Sequence, residues 1–182
     1  MGTAKRRALV VVDMQNDFIY GPLGNDMCRA AVPEVCRQVK EGGYDSIYVT
    51  LDTHYEGYHS TQEGRILPVE HCIEGTPGWE LAEDVKAAIV ASGADVEYVR
   101  KSAFGSLDLA DRIKRECAED ASVDFVGVCT DICVVSNVLI LKAACPEMEV
   151  SVVARCCAGT TREKHEAALA TMGSCQARIV WR

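Results

Sequence analysis

The chain has 182 residues, 48% of them apolar and 25% charged, with a formal net charge of -8. That size and balance suit one soluble α/β domain (residues 1–182) with a sizeable core, and they exclude a disordered chain. The acidic balance, with no evident basic face, argues against nucleic acid as a partner, and no apolar run reads as long enough to span a membrane or serve as a secretory core segment.

In chain order, short apolar and β-branched runs alternate with helical patterns. Arg7–Asp13 (RALVVVD) reads as a first strand, and Ala30–Gly43 as a helix with Val32, Val35 and Val39 on one face and a glycine pair to end it. Asp45–Asp52 reads as a second strand. After it, Thr53–Gly78 is a long connection with no convincing helix or strand, yet it carries three of the four histidines. A connection of that length in a compact domain is functional or disordered, and the histidines point to function. Trp79–Val90 reads as helix, Asp95–Lys101 as strand and Ser106–Asp120 as helix. Val123–Thr130 (strand), Asp131–Cys145 (helix), Glu149–Arg155 (strand), Thr161–Gly173 (helix) and Ala177–Trp181 (strand) complete the chain. Several strands are apolar at nearly every position, as strands covered on both faces are. The alternation predicts βαβ units with right-handed crossovers and a mainly parallel sheet between two helical layers.

Ten cysteines need an explanation. No C-x-x-C pair occurs, and adjacent Cys156–Cys157 has no matching pair at zinc-finger spacing, which argues against a zinc or disulfide framework. A reducing, cytoplasmic location is expected, with most of the thiols packed as small hydrophobes. Spacing alone leaves Cys129 and Cys133 equivalent.

Open α/β sheets bind ligands beyond the carboxyl ends of their strands. Here those ends bring Asp13, Asp52, Lys101 and Cys129 to one edge, and the next helix opens with Asp131, Ile132 and Cys133. Each of these residues taken singly suits a cap, a surface charge or core packing; the joint placement carries the chemistry. A thiol attacks as thiolate, which the positive end of a helix and a nearby lysine both favour. Asp13 can take the thiol proton and later deliver it to a leaving amine, with Asp17 as a substitute that better suits capping the next turn. Backbone N–H groups from about Cys129 to Cys133 can hold an oxyanion. These parts describe acyl transfer.

The long connection holds a second constellation. In the Asp-Thr-His triplet, Asp52 and His54 point to one side of an extended segment, and with His71 they form a plausible divalent-metal site. Glu63 or His59 can complete it, and mixed N and O donors suit Zn, Mn or Fe. His165, between Lys164 and Glu166, reads as a solvated helical residue. Tyr55, Tyr58 and Trp79 suit packing under the connection as readily as substrate contact.

VVVDMQNDF (10–18), VRKSAFGS (99–106) and GVCTDICV (127–134) resemble the three signature segments of the isochorismatase-like cysteine hydrolases. The connection DTHYEGY…TQEG…LPVEHCIEGTPGWEL resembles their nicotinamidase branch, and the similarity runs in order along nearly the whole chain. The resemblance implies a six-stranded parallel sheet in the order 3-2-1-4-5-6 and a catalytic triad at Cys133, Asp13 and Lys101. It also implies a cis peptide between Val128 and Cys129, and an oxyanion hole from the N–H groups of Cys129 and Cys133. It further implies a metal, zinc foremost, on Asp52, His54 and His71, with Glu63 fitting as fourth ligand better than His59. Phe18 matches a ring-stacking aromatic, and Phe104 is a looser match to a pocket wall. One departure is that many nicotinamidases place a tryptophan shortly before the last metal histidine, where this chain has Pro68, Val69 and Glu70.

The activity so implied is hydrolysis of nicotinamide to nicotinate and ammonia through a Cys133 thioester, with pyrazinamide a second substrate, by a homo-oligomer. Two alternatives are a related amidohydrolase acting on a small N-carbamoyl or ureido compound, and a thiol-based redox or metal sensor. The sensor reading puts Cys156 or Cys157 ahead of Cys133.

Overall fold

Six parallel strands form one sheet in the order β3-β2-β1-β4-β5-β6 in the computed structural model, which describes residues 5–117 and 121–181. They are β1 (Arg7–Val12), β2 (Ser46–Asp52), β3 (Asp95–Lys101), β4 (Ser122–Val128), β5 (Glu149–Ala158) and β6 (Arg178–Val180). The expected strand order is thus the order observed. β1 lies at the centre, and its alternate residues face opposite layers, as a period of two requires. Leu9 and Val11 join the core under α2 (Asp26–Glu41) and α4 (Glu83–Ala91). Ala8, Val10 and Val12 join the core under α5 (Leu107–Glu116), α6 (Val135–Ala144) and α7 (Arg162–Ser174). Among the described residues, no helix is long and apolar enough to cross a membrane.

Several element bounds differ from those read in the sequence, each for a local reason. α2 starts at Asp26 instead of Ala30 because the Asn25 side chain accepts from Cys28 N at 2.9 Å, capping a turn that the polar run hid. α4 starts four residues after Trp79 because that segment runs antiparallel to the residues after β1, with Asn16 N donating to Glu80 O and Ala82 N to Met14 O at 2.9 Å. The expected helix from Ser106 ends at Glu116, and its last three positions, 118–120, lie outside the described residues. A short helix unmarked in the sequence pattern, α1 (Asn16–Ile19), follows β1, and another, α3 (Gln62–Ile66), interrupts the long connection.

β1 and β4 come very close where the site begins. Gly127 pairs with Val12 and has φ of +118°, and a Cβ there would lie 2.1 Å from Val12 O. Only glycine meets both demands.

Candidate active site

Three strand ends and one helical turn supply the site. Asp13 follows β1 with a left-handed backbone (φ +47°), a conformation uncommon for a residue with a side chain. Its carboxylate is fully buried, and Oδ1 accepts from the Thr50 hydroxyl at 2.6 Å. Lys101 ends β3, in direct register with Asp52 at the end of β2. Its Nζ lies 2.7 Å from Asp13 Oδ2, 3.1 Å from Asp52 Oδ1 and 3.7 Å from Cys133 Sγ, and donates to Ala103 O at 3.1 Å.

Cys133 sits in a π-helical turn, Thr130–Val134, that leads into α6. The turn is entered through a cis peptide between Val128 and Cys129, where the resemblance places one. Ile132 N and Val134 N both donate to Cys129 O at 3.1 Å, which gathers the turn around that carbonyl. Asn137 braces it from α6: its Nδ2 donates to Cys133 O at 2.7 Å and its Oδ1 accepts from Ser106 N at 2.9 Å. The Cys133 turn is therefore tied to the segment after Lys101.

The electrostatics follow from one buried ammonium facing two carboxylates and a thiol. Burial alone would discharge Lys101, but Asp13, Cys133 and Asp52 outweigh it and hold the ammonium charged. Burial raises the Asp13 carboxyl above the ordinary carboxylate value, and the Lys101 charge offsets this only in part. Burial also raises the Cys133 thiol, and Asp13 raises it further, against the pull of Lys101. The sequence reading has Lys101 and the helix end favour a thiolate; in the folded site burial and Asp13 act against that pull. Asp13 Oδ2 is the one fully buried side-chain oxygen without an aligned hydrogen bond among the described residues, although Lys101 lies beside it.

The metal-type donors meet on the other side of Lys101. Asp52 Oδ2 is 3.1 Å from His54 Nε2 and 3.6 Å from His71 Nε2, and all three residues are buried. Glu63, on α3, brings Oε1 to 3.8 Å from His54 Nε2 and 3.6 Å from His71 Nε2. His71 Nδ1 donates to Val69 O at 2.8 Å, an assignment that leaves its Nε2 lone pair directed at the cluster. Burial opposes ionisation of Asp52, but both imidazoles and Lys101 hold its carboxyl below the usual range. Two imidazole nitrogens and two carboxylates converging in this way fit a divalent cation of the Zn, Mn or Fe kind. His59 is not part of the cluster; it is exposed and paired with Glu70 at 3.2 Å.

Residues around the cluster hold it in place. Gln15 grips Asp52 from both sides, its Nε2 donating to Asp52 O at 2.9 Å and its Oε1 accepting from Asp52 N at 2.8 Å. Asp17 is no substitute base: its Oδ2 accepts from Cys72 N at 2.7 Å and its own N–H donates to Gly78 O at 3.0 Å, which pins the returning end of the long connection. His165 is not solvated. It is buried, with Nδ1 2.8 Å from the Thr130 hydroxyl, and burial lowers its pKa. Phe18 is buried edge-on against His71, with ring centroids 5.5 Å apart. Phe104 is half-exposed and lines a cavity of about 750 Å³ that opens beside His54 and Glu63.

A family model described as the isochorismatase domain matches residues 7–180. The nicotinamidase of Schizosaccharomyces pombe is 26% identical over 169 aligned residues, covering 72% of this chain and 74% of that protein. The pyrazinamidase of Pyrococcus horikoshii, solved in complex with zinc, superposes with a TM-score of 0.73 at 29% identity over 96% of this chain and 98% of that one. A pyrazinamidase/nicotinamidase from Streptococcus mutans UA159 shares the fold, with a TM-score of 0.81 at 24% identity over 96% of this chain and 99% of that one.

Proposed function

The chain belongs to the isochorismatase-domain family, and from that premise we propose that it is a metal-dependent cysteine amidohydrolase acting on a pyridine carboxamide, nicotinamide first and pyrazinamide second. The observation that carries this reading is the position of Lys101 Nζ, within 3.7 Å of the Cys133 thiol and 3.1 Å of the metal-type ligand Asp52. A ring nitrogen held at the metal site would bring a carboxamide on the same ring to the thiol.

Asp52, His54, His71 and Glu63 would hold the cation. When bound it would supply a Lewis-acidic anchor for the ring nitrogen. Asp13 Oδ2 takes the Cys133 proton as Sγ attacks the carbonyl carbon, so that the C–S bond forms and the carbonyl electrons move to oxygen. The N–H groups of Cys129 and Cys133 face that oxyanion in this reading. Collapse of the tetrahedral species breaks the C–N bond, and Asp13 passes the proton to the departing ammonia. Water then gives a proton to Asp13 and attacks the thioester; the acid is released and Cys133 recovers its proton. Lys101 keeps its charge throughout and balances whichever neighbour is anionic.

The test is ammonia release from nicotinamide and pyrazinamide by the zinc-loaded protein, by the protein after chelation, and by Cys133→Ala. Loss of turnover in both of the latter supports the reading; substantial turnover by folded Cys133→Ala refutes the thioester route.

A further inference from the structure

The cavity beside the metal-type ligands is larger than a one-ring amide requires. Its volume of about 750 Å³ lies high in the range of roughly 300–1,000 Å³ typical of sites for drug-sized ligands. Its inner end borders the reacting groups without including them: His54 and Glu63 are cluster members, Ala103 O accepts from Lys101, and Ile132 precedes Cys133. The outer walls are apolar. Tyr55, Ile66, Leu67 and Phe104 are 58%, 76%, 36% and 46% exposed, an unusual concentration of large apolar side chains around one opening. The charges are one-sided as well, since Glu56 and Glu63 line the space and no lysine or arginine does.

We infer that, within the nicotinamide type of substrate, the site favours an uncharged ring carboxamide bearing an apolar extension that fills this outer cavity, and that amides carrying a carboxylate are rejected. This rests on the amidohydrolase reading above. Apolar contact with the four outer side chains favours the extension by removing it from water. A carboxylate in the outer space would meet Glu56 with no lysine or arginine in the lining to offset it, while Glu63 is taken up by the metal site.

The experiment compares kcat/KM for ammonia release by the zinc-loaded protein from nicotinamide, ring-propylated and ring-phenylated nicotinamides, and a ring-carboxylated nicotinamide. Direct binding of the same compounds to Cys133→Ala is measured by calorimetry. The expected result is about a tenfold advantage for the phenylated amide, carried by KM and by binding. The carboxylated amide should lie at least about tenfold below nicotinamide and recover in Glu56→Gln. Ile66→Trp, at an exposed position, should fill the outer space and erase the phenyl advantage. Equal or better handling of bare nicotinamide, or an advantage that Ile66→Trp leaves intact, overturns the inference while the amidohydrolase reading stands. Ammonia from none of these amides overturns both.

Discussion

Asp13 depends on two neighbours of opposite character, a hydroxyl that fixes its orientation and an ammonium that balances its charge. Thr50 donates to Oδ1 at 2.6 Å, leaving Oδ2 toward Lys101. Thr50→Val keeps the shape and removes the donor, so kcat should fall with little change in KM, and stability by about 1–3 kcal/mol, the usual cost of stripping a buried charged acceptor. Chemical denaturation and steady-state ammonia release read the two effects separately. Asp13→Asn removes the base and should lower kcat roughly 10²–10⁴-fold. At this scale the sequence was informative about residues that end strands, because strand ends converge by topology: Asp13, Asp52, Lys101 and Cys133 could be gathered without coordinates. Thr50, Gln15 and Asn137 could not, since each acts through a hydrogen bond to a residue at least 31 positions away or to a carbonyl whose direction only the fold sets.

Between elements, α7 is keyed to the nucleophile turn by the His165–Thr130 contact. The signal was present in the sequence. His165, Ala168, Leu169 and Met172 form a buried stripe at helical spacing, while the polar neighbours Lys164 and Glu166 drew attention to the wrong face. Burial holds the ring neutral in the fold; Glu166 and Asp131 oppose this and Arg162 adds to it. The unfolded chain gains a proton below about pH 6.5, so acid favours unfolding. Stability should therefore decline as pH falls from about 6.5 through the depressed folded value, and His165→Gln should remove that part of the decline in urea titrations run across pH. A second prediction concerns β1 and β4. Gly127→Ala forces a Cβ against Val12 O at a positive φ, and should cost about 2 kcal/mol or more by denaturant midpoint. It should also lower kcat, because Asp13 and Cys129 follow the two strands that would be pushed apart.

For the whole molecule, the metal-type site joins the sheet to the long connection: Asp52 belongs to β2, Glu63 to α3, and His71 to the returning chain. Zinc added to the metal-free protein should raise its melting temperature, by roughly 5–10 °C when free metal is about 100 times the dissociation constant. Glu63→Gln should shrink that rise and His59→Gln should leave it, as differential scanning fluorimetry would show. The parallel sheet and its alternating layers were legible from the sequence because they follow from patterning and crossover rules, and the strand order came only from the family resemblance, whereas α3 within the connection was not legible, because its one turn has no apolar stripe of its own. The thiol-sensor reading puts Cys156 or Cys157 ahead of Cys133. Cys156 and Cys157 are buried within β5, and none of the ten cysteines is joined in a disulfide.

The clamp on the long connection has an evolutionary consequence. His54 N donates to Cys72 O and Glu74 N to His54 O, both at 2.9 Å, while Asp17 fixes Cys72, so the two ends of the connection are stitched together before the chain departs and after it returns. What lies between, apart from Tyr58 and Val69 that hold His54 and His71 in place, is a wall whose length and composition can drift without disturbing the thiol, its base or three of the four metal-type ligands. Glu63 travels with that wall. Lineages that exchange the segment would therefore change the molecules admitted and the fourth donor together, in a single heritable unit, and inherit the bond-breaking apparatus unaltered.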